Sequence, residues 1–224
     1  MNVDEKIASI LTDLKHAEHQ FPHIHGDCNL THFRHCFKHV VLDGLWVEFG
    51  VYKGGSIGTI ANCNPNKTIY GFDSFEGLPE KWDDDNPKGV YSLNGNIPPR
   101  IFRGLNVIHG EPYQDWNNNI VLIKGLFEDT LPEFVQKHPE NVAFMHIDSD
   151  LYSSAKTILD TFKDKIVPGT IICFDDWCGY PTNADQEHEI KAFAEFLLDT
   201  DLDCSLPLSY QTNIRYSQIG FKIK

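Results

Sequence analysis

No stretch of the 224-residue chain approaches the roughly 18–20 consecutive apolar residues that a bilayer-spanning helix needs, so no such helix is expected. The first 14 residues form a charged amphipathic pattern. They lack the apolar stretch and small-residue cleavage site of a signal peptide. Runs rich in Lys and Arg are also missing: 19 basic residues stand against 32 acidic ones, a formal charge of −13. Nucleic acids and anionic membranes need a basic footprint, so neither is an expected partner. The six cysteines (Cys28, Cys36, Cys63, Cys173, Cys178 and Cys204) form no C-x-x-C pair. Cys173 lies in the apolar run 170–174, where a buried thiol is ordinary. A reduced, cytoplasmic protein is the economical expectation. Internal repeats and low-complexity segments are absent too.

What is present is an ordinary globular balance, 41% hydrophobic and 23% charged. The length suits a single domain over 1–224. Hydrophobic spacing predicts helices over 7–19, 54–61, 131–138, 152–165 and 187–198, with a loop around 21–29. Compact apolar strands are predicted over 45–50, 68–72, 120–124, 143–147 and 170–174. Two further strand-like pieces within 209–223 could pair as an antiparallel hairpin around Asn213. Near-continuous apolar strands alternating with helices predict a parallel sheet buried on both faces. Residues 1–44 read as an N-terminal helical segment. Residues 76–119, rich in Gly, Pro and Asn, read as a lid or substrate loop or as a mobile insertion.

In an open parallel sheet, ligands bind beyond the carboxyl ends of the strands. After the first strand comes Glu48-Phe49-Gly50-Val51-Tyr52-Lys53-Gly54-Gly55-Ser56. Its glycines let backbone approach a ligand closely, and a helix N-terminus favours an anionic group there. Asp73 ends the second strand, 23 residues beyond Gly50, where an acid can accept hydrogen bonds from a ribose diol. Together these features point to an adenosine-type cofactor. The fourth strand ends in Asp148-Ser149-Asp150 and the fifth in Asp175-Asp176. Converging carboxylates repel one another without a cation, and oxygen-only ligands suit a hard divalent ion, Mg²⁺ first. One such Asp would be read as a helix cap; two pairs on successive strands favour a metal.

These residues carry a family resemblance. From Trp46 to Trp177 the chain resembles class I S-adenosylmethionine-dependent methyltransferases, in the metal-dependent, macrocin O-methyltransferase-like group. The motifs are 47–56, YGFDSFEGLPE (70–80), KGVYSLNGNIP (88–98), KGLFEDTLP (124–132), HIDSDLY (146–152) and PGTIICFDDW (168–177). The resemblance implies a Rossmann-like α/β fold. Its mostly parallel seven-stranded sheet would carry an antiparallel C-terminal strand and helices on both faces. It implies that Glu48, Gly50, Tyr52, Gly54 and Ser56 hold the methionine part of the cofactor. Asp73 would hold the ribose, Ser74 and Phe75 line the ribose and adenine side, and Phe127 and Glu128 flank adenine. Asp148, Asp175 and Asp176 match metal-binding acids, with Asp148 also beside the cofactor, and Asp150 matches the general base. Catechol-type relatives place a Lys three residues after the first metal acid. Leu151 stands there in this chain, so a lysine base is not expected. The implied reaction is Mg²⁺-assisted methyl transfer to a hydroxyl of a small molecule, a sugar or glycosylated metabolite. The oligomeric state is left open.

Two other signals compete. Tyr152-x-x-x-Lys156 is the catalytic spacing of short-chain dehydrogenases, an alternative NAD(P)-dependent reading. Its glycine turn would begin late in the chain, at Gly50, and no Ser occurs between Ser92 and Ser149. A non-catalytic protein that binds S-adenosylmethionine or a metal is a further alternative. Seven of the eleven histidines fall between His16 and His39. Solvated helix-face groups are the plain reading for them, with a zinc site or a place in the substrate pocket as the chemical ones.

Overall fold

The computed structural model describes residues 2–17, 29–98, 119–177, 187–212 and 217–224. Five parallel strands form most of the sheet: β1 (Leu45–Phe49), β2 (Ile69–Asp73), β3 (Ile120–Lys124), β4 (Val142–Ile147) and β5 (Ile171–Phe174). The expected C-terminal hairpin is present as β6 (Ser209–Thr212) and β7 (Ser217–Lys222), with β7 antiparallel to β5. The sheet order is β3-β2-β1-β4-β5-β7-β6, the seven-stranded Rossmann-like arrangement expected. Asn213 and the predicted loop around 21–29, apart from Asn29, lie outside the described residues.

The helices are α1 (Val3–Ala17), α2 (Asn29–Phe37), α3 (Gly55–Cys63), α4 (Phe127–Lys137), α5 (Tyr152–Phe162) and α6 (His188–Thr200). Helices α1, α4, α5 and α6 cover one face and α2 and α3 the other, so each strand presents alternate residues to two cores. Val47, Phe49, Met145, Ile147, Ile172 and Phe174 point to the first, where Ala155, Ile158, Leu159 and Phe162 of α5 and Ile190, Phe193, Ala194 and Leu197 of α6 meet them. These are the helical stripes read from the sequence.

Three elements differ most from expectation. Helix α1 begins at Val3, four residues before its predicted start. Helix α4 begins at Phe127, four residues before the predicted start, and carries Pro132 inside it. Glu128 and Asp129 suit its positive N-terminal end, and Phe127 packs edge-on against Phe49 at 5.8 Å. Helix α2 lies within the segment 1–44 that was read as helical, but no range of its own was predicted for it. Its register is set by Phe33 and Cys36, both buried against the sheet, rather than by a strong apolar period of its own.

Candidate active site

Tight backbone geometry builds the floor of the site. Gly50 has φ 88°, and a Cβ there would overlap the Asp148 carbonyl oxygen, so only glycine lets the β1 and β4 ends lie this close. Tyr52 (φ 47°), Phe75 (φ 58°), Tyr91 (φ 63°) and Asp150 (φ 61°) hold the left-handed conformation without being glycine. Three of them, Tyr52, Tyr91 and Asp150, line one cavity of about 280 Å³ at the carboxyl ends of β1, β2, β4 and β5. Strain of this kind persists where surrounding contacts over-determine it, and it gathers at functional sites.

Gly50, Tyr52, Asp73, Ser74, Phe127, Glu128, Asp148, Asp150, Asp175 and Asp176 all line this cavity, as the sequence anticipated. Four other anticipated cofactor contacts, Glu48, Gly54, Ser56 and Phe75, do not line it. Asp73 accepts the backbone N–H groups of Val51 (2.8 Å) and Tyr52 (2.7 Å) on one oxygen and that of Phe75 (2.6 Å) on the other. Of the roughly four acceptor positions of its carboxylate, two thus shape the glycine turn and a third holds the loop after Asp73 itself. Glu48 is fully buried, accepting a hydrogen bond from the Ser56 hydroxyl (3.0 Å) and facing His146 Nδ1 (3.1 Å).

His146 links that buried acid to the acidic cluster, because its Nε2 stands 3.5 Å from Asp175 Oδ1. Burial alone would depress its pKa. Hydrogen bonds to Asp175 and Glu48 outweigh burial and raise it to about 10, so the ring is an imidazolium amid carboxylates. Asp175 is also held by the Gln218 amide. Asp148 has its carboxyl pushed well above the usual range, by burial first and then by the charges of Asp175, Asp176 and Asp150. Asp150 is raised likewise, by burial and by Asp176. Acids crowded this way cannot all ionise cheaply, and a divalent cation would relieve them.

Two contributors were missed in the sequence. His146 precedes the strand-end acids by two residues, a position that signals nothing unless the Glu48 side chain is known to lie across the strand. Glu189, fully buried in the first turn of α6, accepts the Ser149 backbone N–H (3.1 Å), the Ser149 hydroxyl (3.2 Å) and the Asp176 N–H (3.2 Å). It braces the loops after β4 and β5. An acid beside the apolar stripe of α6 was the available hint.

Residues 75–95 form an ordered loop closed on itself, with the Leu93 and Gly95 N–H groups on the Phe75 carbonyl (3.0 and 2.7 Å). Leu78, Trp82 and Val90 pack against Leu151, and Gly77, Leu78, Pro79 and Tyr91 form one wall of the cavity. Residues 99–118 of the anticipated lid region lie outside the described residues. Among the described residues of the N-terminal segment, none lines the cavity.

The dehydrogenase-like pair is not assembled for hydride chemistry. Tyr152 donates its hydroxyl to Glu195 (2.8 Å) and Lys156 pairs with Asp160 (2.6 Å), both away from the cavity. The spacing is that of a helix packed on α6.

A seven-stranded Rossmann-like sheet, with a glycine turn, a strand-end acid and a cleft over its carboxyl edge, is the frame of an α/β protein that binds a nucleoside-containing cofactor. Comparison with known proteins makes this specific. The macrocin O-methyltransferase (TylF) family model matches residues 19–201, and the chain belongs to that family. It is therefore an S-adenosylmethionine-dependent O-methyltransferase. The mycinamicin III 3''-O-methyltransferase of Micromonospora griseorubida is 24% identical over 178 residues, covering 74% of this chain and 68% of that protein. In fold, the chain is similar to the calicheamicin methyltransferase CalS11 (TM-score 0.58, 18% identity, 95% of this chain and 91% of that one). It is also similar to the O-methyltransferase NovP (TM-score 0.59, 22% identity, 86% and 78%). Among the described residues, no helix is long and apolar enough to cross a membrane.

Proposed function

We propose that the acceptor is a hydroxyl of a small molecule, a sugar or glycosylated metabolite, and that transfer is assisted by Mg²⁺ or another hard divalent ion. The observation that carries the reading is the convergence of Asp148, Asp150, Asp175 and Asp176 on the same cavity as Gly50, Asp73 and Glu128. One ligand atom each of His146, Asp148 and Asp175 lies within 4.8 Å of the other two, the acids offer oxygen donors, and the raised Asp148 and Asp150 carboxyls fit a place for positive charge. The related mycinamicin III 3''-O-methyltransferase, which by its name methylates an oxygen of mycinamicin III, supports a small-molecule acceptor.

Asp148, Asp175 and Asp176 would hold the ion, which when bound would lower the pKa of a nearby acceptor hydroxyl and fix its direction. Asp150 then takes the hydroxyl proton on its carboxylate, its left-handed backbone turning that group into the cavity. Asp73 offers its remaining acceptor position to the ribose, while Phe127 and Glu128 flank the adenine. Tyr52 and Tyr91, edge-on at 5.7 Å, both line the cavity and would limit water around a bound methyl donor. Because the sulfonium methyl is already electrophilic, alignment of the acceptor oxygen behind it is the main task. The four described cysteines are not disulfide-bonded, which fits a reducing, cytoplasmic setting.

The test is methyl transfer to a panel of glycosylated hydroxyl acceptors, read by mass gain, with Mg²⁺ or with excess chelator. Transfer should require the divalent ion, and Asp148→Ala or Asp175→Ala should abolish turnover while S-adenosylmethionine binding persists. Full turnover of either variant in chelator would sink the metal role.

A further inference from the structure

Away from the cavity, on the α2 side of the sheet, three metal-capable side chains meet in the core. His32 and Cys36 stand one helical turn apart on α2, and Cys173 rises from β5. All three are buried, and one ligand atom from each lies within 4.8 Å of the other two. None lines the cavity, and methyl transfer gives them no role.

The surroundings are shaped to this cluster. Cys173 is paired across the sheet with Gly220 of β7. A Cβ at Gly220 would overlap Cys36 Sγ and stand 3.3 Å from Cys173 Sγ, so the missing side chain is what admits both sulfurs. His32 Nδ1 is hydrogen-bonded to the Ser209 hydroxyl at 3.0 Å, which fixes the ring. Its Nε2 has no hydrogen-bond partner among the described residues although it is fully buried. One nitrogen oriented by a neighbour and the other left free is the arrangement of a metal-ligating imidazole.

Core packing accounts for two small buried thiols but not for the free imidazole nitrogen, and a Cys36–Cys173 disulfide accounts for the thiols alone. We propose that His32, Cys36 and Cys173 form a buried site for one thiophilic d¹⁰ metal ion, Zn²⁺ or Cu⁺, that pins α2 to β5. On binding, two S–H bonds are exchanged for two metal–thiolate bonds and two protons leave to solvent. His32 contributes its Nε2 lone pair and donates its Nδ1 proton to Ser209. Sulfur and imidazole select these soft ions over the hard ion suited to the strand-end carboxylates. With Zn²⁺, two thiolates and a neutral ring give a site of zero net charge, and with Cu⁺ three donors complete a trigonal set.

The experiment uses the full chain, purified under reducing conditions, stripped of metal and titrated with Co²⁺ as a spectroscopic probe. A single equivalent should produce thiolate-to-cobalt charge-transfer absorption. The band should persist in the double variant Asp175→Asn, Asp176→Asn and vanish in Cys36→Ser and Cys173→Ser. Zn²⁺ and Cu⁺ are then added separately, and the ion that displaces cobalt at the lower concentration is the one the site prefers. Because serine at either core position threatens folding, the wild-type spectrum and wild-type stoichiometry by elemental analysis stand on their own. Absence of the band in reduced wild-type protein would overturn the proposal. So would its survival in Cys36→Ser, or a Cys36–Cys173 disulfide formed in air by protein that retains no metal when reduced.

Discussion

The two faces of the sheet are built from the same strands yet differ in kind. Toward α1, α4, α5 and α6 the described strand residues contribute mainly aliphatic and aromatic side chains, stacked with Phe134, Phe162, Phe193 and Trp177. Toward α2 and α3 one transverse row is largely polar. Gly71, Glu48, His146, Cys173, Gly220 and Ser209 are successive partners across β2, β1, β4, β5, β7 and β6. The apolar face stabilises by burial alone. Each acid, imidazole or thiol in the polar row costs free energy unless a neighbour satisfies it, and the row delivers that chain of partners to Asp175 at the edge of the cavity. One face holds the sheet together; the other holds the catalytic edge in position.

Substitutions can break this contrast. The largest effect is expected at its functional end, where Asp175→Ala should lower turnover on the order of a thousandfold or more, read as kcat with cofactor binding measured separately. On the opposite face Phe162→Ala should cost about 4 kcal/mol of stability by denaturant unfolding, with kcat of the folded enzyme little changed. In the polar row, His146→Ala should cost about 3 kcal/mol because it leaves Glu48 buried without its cation, and it should lower kcat as well. A Glu48→Leu, His146→Leu pair should recover most of that stability but not the activity. If it recovered both, the row would be mere core. At the cofactor end, Asp73→Asn should weaken S-adenosylmethionine binding about tenfold by calorimetry, through loss of charged acceptors for the Val51 and Tyr52 amides. Smallest of all, Lys156→Ala should change stability by at most about 0.5 kcal/mol and leave turnover unchanged, since its partners Asp160 and Asp199 lie toward solvent and its contact with the less exposed Glu195 is long, at 4.0 Å.

Much of the cavity was legible in the sequence because strand-end chemistry is local. An apolar run that stops at Asp148-Ser149-Asp150 or at Asp175-Asp176 announces both a strand and what stands at its carboxyl end. The stripes of α5 and α6 were equally plain. The bounds of helix α2 were not, because a nine-residue stretch with five polar residues carries little periodic signal. Glu48 and Ser56, read by resemblance as cofactor contacts, turn inward to each other and to His146, a choice that the strand pattern does not register. Phe75 likewise packs into the core beside Asp73 rather than onto the cavity wall.

By itself, then, the sequence determined the order of strands and helices, the acids at the strand ends and the family, since periodicity and short motifs act within a few residues. The tertiary structure decided which buried groups become partners. Glu48 meets His146 across 98 residues of chain and His32 meets Ser209 across 177, and those encounters depend on strand order and register. Register aligns whole rows of side chains at once, so two parallel pairings, β1 with β4 and β4 with β5, brought an acid, an imidazole and a thiol onto a single line that no local pattern encodes.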